Sequence, residues 1–371
     1  MKNTGRTLAL AALLGINASA ASFLAVGDNA ELFLTGAAAV RFDDNIYLDG
    51  VGEQDDIVWS FTPGVDLVFG QGSATQGNIH YREEFVKYSD ASNQDTSLSN
   101  IGITTKYDSG KSKFDLAFTY AQFSQNDLDV NAVGTLVRSE RTHFHALPEF
   151  GLTQKSSLGV GVTYDRTNYK PVVYTDRDTW SVPVDYYFEY SPKLDISVGY
   201  RRRETDTGAG GIDTEDNFLS LGARGEFTPK LTGQVRVGYN QRDFDTGGDD
   251  DQVGVDASLA FAASSKSTYR LLVSNDFGNA GTGDSTKEFL LGLRASSALT
   301  QTLNLDAGIT FRAIEYTTRD DDYLEGHLGF TYVYNEFVNF GASYTHRKND
   351  SSATALDFTN NVFSFGANLR Y

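Results

Sequence analysis

The sequence predicts an all-β protein, a single transmembrane antiparallel up-and-down β-barrel of about 18 strands within a range of roughly 16–18. Two observations lead to this prediction. From Glu31 onward the chain falls into segments of about ten residues in which apolar and polar side chains alternate. The connections between these segments alternate between short turns and longer, acidic loops. Since successive side chains of a strand point to opposite faces, each segment can turn one apolar face toward lipid.

The apolar rows carry their aromatic side chains mainly at their ends. One row shows the pattern clearly, with Trp180, Val182, Val184, Tyr186, Phe188 and Tyr190 at every second position. Tyr and Trp have one apolar and one polar end, so they suit the level of the lipid headgroups. The pattern therefore indicates an aromatic girdle at the edges of a membrane.

The connections form two sets that differ in length and composition. The short set comprises residues 108–111, 191–193, 228–230, 264–266 and 335–336. The long set is acidic and comprises residues 43–56, 90–95, 125–135, 205–216, 243–251, 276–284, 317–322 and 348–357. Outer-membrane barrels have short periplasmic turns and longer external loops. An even number of strands then places both chain termini in the periplasm and every long loop outside.

The N-terminus has the three parts of a secretory signal peptide. Lys2 and Arg6 precede an apolar run over residues 8–16, and the small-residue triplet ASA follows. We predict a signal peptide over residues 1–20 and an outer-membrane β-barrel over residues 21–371. The apolar run is too short to cross a bilayer as a helix, and no later segment has the 18 or so apolar residues that a membrane helix needs.

Composition excludes several classes of function. The formal net charge is −18, and binding a polyanion needs a basic surface, so we expect no nucleic-acid partner. The chain has no cysteine, which excludes disulfides, thiol nucleophiles and cysteine-based metal sites. P-loop, dinucleotide, serine-hydrolase and zinc-protease signatures are absent as well. We predict a protein that is not an enzyme and holds no cofactor and no metal.

Two histidines have a spacing that metal sites also use. His143 and His145 share one face of a predicted strand, but the sequence specifies no third ligand, so a polar wall is the simpler interpretation. A barrel enzyme of the lipase type would need a serine activated by a histidine. The sequence shows no such arrangement around His80, His327 or His346.

The last segment, residues 361–371, reads NVFSFGANLRY and ends the chain on an alternating strand. Its apolar face carries Phe363, Phe365, Leu369 and Tyr371. The segment resembles the closing strand of bacterial outer-membrane β-barrels, which implies recognition by the barrel-assembly machinery. We expect it to pair with the first strand near residues 31–41, with Tyr371 at the periplasmic lipid boundary and Arg370 turned inward. The alternative is an ordinary last strand of a soluble sandwich.

Charged side chains fall on the rows opposite the apolar ones and should face the lumen. A charge that faced lipid at mid-depth would cost about 2–4 kcal/mol. The lumen-lining candidates are Arg82, Glu84, Asp115, Asp185, Arg201, Arg203, Arg224, Arg236, Arg242, Arg270, Arg294, Arg312, Arg347 and Arg370. Two interpretations are open. The charges either pair across strands and stiffen the wall, or the arginines select the solutes that pass.

A barrel of roughly 16–18 strands is wide enough for an aqueous channel. No predicted loop matches the inserted constriction loop of general porins, so any narrowing would come from side chains or from several short loops. Two runs of three carboxylates, residues 249–251 and 320–322, are interpreted as solvated loop tips. The alternative is that they bind divalent cations that bridge to lipopolysaccharide.

The start of the predicted barrel carries a family likeness. It reads FDDNIYL at 42–48, DDI at 55–57 and TPGV at 62–65. This opening resembles that of the putative beta-barrel porin type 2 family, and with the hairpin pattern the likeness extends over essentially the whole chain after the signal peptide. That family is frequently associated with exopolysaccharide production and export. The resemblance therefore implies a polysaccharide link, and it carries over no catalytic residue.

The predicted function is that of a porin-like outer-membrane channel for small solutes, or of an export-associated barrel linked to exopolysaccharide. One alternative is a non-conducting barrel that acts as an anchor or surface-interaction protein through its acidic loops. Another is an outer-membrane lipid hydrolase. The expected partners are outer-membrane lipids and lipopolysaccharide, the barrel-assembly machinery, and polysaccharide or small solutes.

Overall fold

A computed structural model describes residues 22–130, 133–208 and 210–371. The predicted signal peptide at residues 1–20 lies outside these ranges. Within them, no helix is long and apolar enough to cross a membrane.

The described residues form β-strands almost throughout. In chain order the strands are β1 (Leu24–Val26), β2 (Ala30–Asp43), β3 (Asp56–Phe69), β4 (Thr75–Tyr88), β5 (Thr96–Asp108), β6 (Ser112–Ser124), β7 (Arg138–Gly151), β8 (Ser156–Val160), β9 (Val162–Tyr169), β10 (Arg177–Ser191), β11 (Leu194–Thr207), β12 (Thr214–Thr228), β13 (Leu231–Phe244), β14 (Asp249–Ala262), β15 (Ser267–Asn279), β16 (Ser285–Ala298), β17 (Leu303–Tyr316), β18 (Asp320–Val333), β19 (Val338–Ser351) and β20 (Phe358–Arg370). Two short 3-10 turns, Ser92–Gln94 and Thr354–Leu356, lie between strands.

Strands β8 and β9 are the two halves of one barrel strand. Both pair antiparallel with β7 and with β10. They are separated at Gly161, whose N–H donates to the carbonyl of Pro183 at 2.9 Å. With this pair counted once, β2 to β20 form a closed antiparallel barrel of 18 strands within the described ranges. The predicted fold class is confirmed, and β1 adds a three-residue pairing with β2.

The barrel closes between β2 and β20. The two strands pair antiparallel, from Thr35 opposite Arg370 to Asp43 opposite Val362. The backbone N–H of Tyr371 also donates to the carbonyl of Leu34 at 2.8 Å, which ties the last residue to the wall. The predicted partner of the closing segment is thereby confirmed.

The outward face of the barrel is apolar, as the alternation predicts. On β10, Tyr186 and Phe188 are exposed, whereas Asp185 and Tyr187 are buried on the lumen side. The same alternation recurs around the wall. A continuous apolar surface of this kind is stable against lipid and unfavourable against water.

Side chains that bind nearby backbone groups build the short periplasmic turns. The side-chain oxygen of Asn335 accepts hydrogen bonds from the N–H groups of Phe337 and Val338, at 2.9 and 2.8 Å. The hydroxyl of Thr300 accepts from the N–H of Leu303 at 2.9 Å. Asn and Thr favour turns because their short side chains can satisfy the backbone in this way.

Several external loops fold into the barrel instead of extending from it. Residues 45–49, between β2 and β3, are all buried, and so are parts of the connection 125–137. Residues from these loops join the wall in a hydrophobic cluster of Leu48, Leu128, Ala280, Ile314, Tyr316 and Phe358. Each large apolar side chain that is fully buried contributes roughly 1.5–3 kcal/mol. The sequence left side chains or several short loops as the sources of any narrowing, and this packing brings several loops into the barrel.

The two carboxylate runs predicted as loop tips are strand residues. Residues 249–251 begin β14 and residues 320–322 begin β18. Asp321 is only 2% exposed and accepts a hydrogen bond from Arg319 Nε at 3.1 Å. The prediction of loop tips is wrong because these two strands continue beyond the apolar band. There the side chains on both faces are polar, so the sequence has no hydrophobic alternation that would indicate a strand.

Candidate functional site

The barrel encloses a cavity of about 1020 Å³. Its lining runs from Asp108 and Lys113, beside a periplasmic turn, to Asn279 at the external end of β15. Part of the predicted lumen set lines it, namely Asp115, Asp185, Arg201, Arg203, Arg224, Arg236 and Arg312. A solute in the barrel would therefore meet these charges.

A network that we call the outer charge cluster covers the external half of one lumen wall. It consists of Arg201, Arg203, Asp216, Asn240, Arg242 and Asp276. The Asp276 carboxylate accepts from Arg201 Nη2 at 3.0 Å to each oxygen and from Arg203 at 3.0 and 3.2 Å. Asn240 adds a hydrogen bond to Asp276 at 2.7 Å. Bidentate bonds between guanidinium and carboxylate fix both partners in one geometry.

The second carboxylate of the outer charge cluster is Asp216, which is fully buried. It accepts from Arg203 Nε at 2.6 Å and from two nitrogens of Arg242 at 2.6 and 2.9 Å. Three guanidinium groups thus share two carboxylates. Removing either carboxylate would leave a buried positive charge without its partner, which is costly.

The outer charge cluster holds an inward bend of β15. This strand pairs with β14 only as far as Asn275, although it stays paired with β16 to its end. Beyond that point lumen arginines bind its carbonyls. Arg203 donates to the carbonyl of Phe277 at 2.9 Å, and Arg242 donates to that of Gly278 at 2.8 Å. The arginines therefore replace ladder hydrogen bonds that the bend removes.

A second network, the inner charge cluster, lies nearer the periplasmic end and contains Glu149, Asp185, Tyr187, Asp195, Arg224 and Arg236. Arg224 donates to both oxygens of Glu149, each at 2.8 Å, and to Asp195 at 3.0 Å. Its guanidinium lies over the ring of Tyr187, 3.3 Å from the centroid. Arg236 donates to Asp185 at 2.9 Å and to the hydroxyl of Tyr187 at 3.1 Å.

Small residues make room for the inner charge cluster. Gly159 and Gly199 flank Asp185 on the neighbouring strands, and Ser220 and Gly238 continue the same row. A Cβ on Gly199 would come within 2.3 Å of the Asp185 carboxylate. The row lets large charged side chains lie flat against the wall, which leaves the cavity open beside them.

The remaining predicted lumen residues are spread around the wall. Their partners, in order of distance, are Arg82 with Asp66 at 2.9 Å, Arg312 with Glu288 at 3.1 Å, Arg347 with Glu325 at 3.2 Å, Arg294 with Asp306 at 3.6 Å, and Arg370 over the Phe33 ring at 4.0 Å. Glu84 lies two positions from Arg82 on β4, and Arg270 is exposed directly opposite Arg294. These contacts match the interpretation in which most charges pair across strands.

Sequence reasoning missed the carboxylates at the centre of the outer charge cluster. Asp216 and Asp276 fell at the edges of predicted loops, but they lie in β12 and β15. A signal for one of them was present. Leu219 and Leu221 belong to the outward row of β12. Because alternate residues point to opposite faces, Asp216, an odd number of residues before them, lies on the lumen face.

Three asparagines, which we call the asparagine lock, hold the inward loops at the external mouth. Asn45 donates to the carbonyl of Thr359 at 3.0 Å, and Asn360 donates to the carbonyl of Asn45 at 3.2 Å. Asn126, from the connection 125–137, donates to the carbonyl of Tyr47 at 2.8 Å. Burial of this loop raises the pKa of the Tyr47 hydroxyl, because a charged phenolate loses its hydration there.

The histidine pair predicted on one strand face lies on β7 in the lumen wall. The nearest ring nitrogens, His143 Nε2 and His145 Nδ1, are 3.1 Å apart. His143 Nδ1 lies 2.7 Å from Asp165, and His145 Nε2 lies 3.4 Å from Asp115. Among the residues that the structure describes, no group of three or more His, Asp or Glu side chains is arranged to hold a metal ion.

Solved structures with a similar fold are porins and related proteins of very low sequence identity. A BenF-like porin from Pseudomonas fluorescens Pf-5 has a TM-score of 0.50 at 10% identity, over 92% of this chain and 99% of that chain. OpdK of Pseudomonas aeruginosa, solved with vanillate, has a TM-score of 0.49 at 10% identity, over 92% and 99%. OccAB3 of Acinetobacter baumannii has 0.49 at 10%, over 93% and 100%. The BenF-like porin shares the fold, and identity at this level shows no more than that.

A comparison with the curated proteins finds no match. A comparison with protein families finds that residues 33–371 match the family described as Putative beta-barrel porin 2. The matched region begins in β2 and runs to the last residue, so it includes the closing seam and both charge clusters. The family match confirms the resemblance that the opening residues indicate, and the chain belongs to the Putative beta-barrel porin 2 family.

Proposed function

We propose that the chain is an outer-membrane channel through which small solutes diffuse. The observation that carries this proposal is the cavity of about 1020 Å³ inside a closed barrel of 18 strands. A barrel of this size is too wide for its own side chains to fill. Here the small-residue row keeps the charged side chains against the wall, so water and small solutes have room beside them.

The lining supports a channel for polar solutes with a modest preference by charge. Both signs of charge line the cavity, and the arginines of β11 to β13 are held by carboxylates. A guanidinium paired in this way still offers N–H groups to a passing solute, but its field is largely compensated. We therefore expect weak selectivity from the two clusters.

Matched substitutions on neighbouring residues test passage through the lumen. Ser274 lines the cavity, whereas Val273 is the adjacent residue and lies on the outward row of β15. We expect vesicles that contain the refolded protein to swell in small sugars faster than protein-free vesicles. Ser274→Trp should slow this swelling by narrowing the lumen, and Val273→Trp should leave it unchanged. Equal rates with and without protein would contradict the channel.

A non-conducting barrel is the second candidate, and the interlocked loops favour it. The asparagine lock and the inward-bent β15 narrow the external mouth, and most lumen arginines are paired. Such a barrel would anchor or present a surface without passing solutes. It predicts no swelling in any solute for the wild-type chain and for both tryptophan variants.

Other parts of the proposal concern location and partners. We propose export by the signal peptide, assembly by the barrel-assembly machinery, and contact with outer-membrane lipid and lipopolysaccharide. N-terminal sequencing of protein from outer-membrane fractions should start at residue 21, and an unprocessed N-terminus would contradict export by this route.

The exopolysaccharide link stays a prediction from family resemblance. If a strain that lacks the protein secretes a normal amount of polysaccharide, the link to exopolysaccharide is contradicted.

A further inference from the structure

The two histidines of β7 are each held by a carboxylate. Asp165 Oδ1 lies 2.7 Å from His143 Nδ1, and Asp115 Oδ1 lies 3.4 Å from His145 Nε2. An ionised carboxylate can only accept a hydrogen bond, so both contacts are satisfied when these two ring nitrogens carry the protons. The two other ring nitrogens, His143 Nε2 and His145 Nδ1, face each other at 3.1 Å.

With the two N–H groups directed at the carboxylates, two neutral rings present one acceptor each to the other, and no hydrogen lies between the facing nitrogens. His145 is buried, so its Nδ1 has little access to bulk water. Two acceptors in contact inside a wall leave both unsatisfied. The arrangement becomes favourable when a cation joins the nitrogens. That cation is either a proton, which makes one ring an imidazolium, or a metal ion that both rings coordinate.

The geometry points to a metal ion, and we propose that His143 and His145 bind one divalent transition-metal ion such as Zn²⁺ or Ni²⁺. Two nitrogens bound to a tetrahedral zinc are about 3.3 Å apart, given Zn–N distances near 2.0–2.1 Å. The observed 3.1 Å is close to that separation. Metal-ligating histidines commonly donate their other N–H to a carboxylate, and Asp165 beside His143 and Asp115 beside His145 are placed to accept such hydrogen bonds.

The surroundings suit a cation at this place. His143 lines the lumen cavity, so the ion and the water ligands that complete its coordination can arrive from the lumen. Asp165 on β9 and Asp115 on β6 bring negative charge to the pair. Lys106 on β5 lies 3.6 Å from Asp115, and Arg141 on β7 is bound to Asp127 at 3.3 Å. The site has two protein ligands, so we expect a moderate affinity.

Calorimetric titration of Zn²⁺ and of Ni²⁺ into the refolded full-length protein tests the proposal. We expect one site in the wild type and at least about tenfold weaker binding in the His143→Asn, His145→Asn double variant. Asp165→Asn should weaken binding by about 10–100-fold, because it removes the partner that orients His143 while leaving both ligands in place. The experiment does not depend on conduction, so it is independent of the proposed channel.

His327 provides the matched control. It lies on β18 with Asp306 as a neighbour, and the residue opposite it on β19 is Thr345. His327→Asn should bind Zn²⁺ like the wild type, and circular dichroism should show that every variant keeps its β-structure. Equal Zn²⁺ affinity in the wild type and the folded double variant would overturn the proposal. So would a wild type that binds neither ion, since the pair would then hold a proton.

Discussion

Two segments narrow the external mouth of this barrel, and different chemistry holds each of them. Residues 44–55 are held by neutral amide hydrogen bonds of the asparagine lock. The inward end of β15 is held by ion pairs of the outer charge cluster. Both segments lie at the same end of the lumen, so their anchors can be compared directly.

The comparison shows that the stability lost with one side chain depends on the charge of the partners that it leaves behind. When the Asn45 amide is removed, its neutral backbone partners at Asp49 and Thr359 lose one hydrogen bond each. When Asp276 is removed from the outer charge cluster, Arg201 and Arg203 stay behind with their side chains largely buried, and only Arg203 keeps a carboxylate partner, Asp216. The charged anchor should therefore lose more stability after a single substitution than the amide anchor.

Asp276→Asn should have the largest effect, because it leaves Arg201 and Arg203 without their shared carboxylate. Breaking a buried pair costs about 3–5 kcal/mol, and the side chain of Asp276 is 25% exposed, so we expect roughly 3 kcal/mol. The free energy of unfolding in urea measures this loss. Asp249→Asn removes an exposed carboxylate on β14 and should change stability little. Equal stability of the two variants would refute the anchoring role of Asp276.

Asn45→Ala should have the next largest effect, since its side chain bonds to Thr359 and to both backbone groups of Asp49. Leaving buried groups unsatisfied costs about 1–3 kcal/mol. The loop should also open locally, which protease cleavage near residues 50–53 would detect. Asn93, an exposed residue of the turn Ser92–Gln94, is the control, and Asn93→Ala should resist cleavage like the wild type.

Gly199→Ala tests the row of small residues beneath the inner charge cluster. The added Cβ would come within 2.3 Å of Asp185 and push it away from Arg236. We expect a loss of about 1–2 kcal/mol in the free energy of unfolding. A Cβ on Gly326 meets nothing within 4 Å, so Gly326→Ala should be nearly neutral. Identical unfolding curves for the two variants would contradict the packing role of the row.

Arg270→Ala should have the smallest effect on stability, because this side chain is exposed near the periplasmic end of β15. It should instead shift the reversal potential of the channel toward cations, since a positive charge leaves the lumen. Arg138 is an exposed arginine at the external end of β7, and Arg138→Ala should not move the reversal potential. A shift of the same size in both variants would show that Arg270 does not act on the permeating ions.

The part of this structure that the sequence predicts is the part that local pattern encodes. The alternation along β10 and along residues 361–371 defines which face meets lipid, and the register of β20 on β2 follows from closing the barrel. The inward loops could not be predicted in this way. Asn45 and Asn360 are 315 residues apart in the chain, and nothing in their local sequence indicates that they meet.

The charged residues show the same limit. Arg201 and Arg203 are assigned to the lumen by alternation alone, and both line the cavity. Their partner Asp276 lies at the point where β15 leaves β14, and that bend depends on the contacts that it creates. Pairing between charges on distant strands is a property of the closed barrel, so it could not be predicted from one segment at a time.

Single-channel conductance of the refolded wild-type chain in planar lipid bilayers tests the central claim most directly. The proposed channel, narrowed by two anchored segments, predicts discrete and stable openings that become larger in Asp276→Asn. An absence of stable openings in the wild type at every voltage would contradict it.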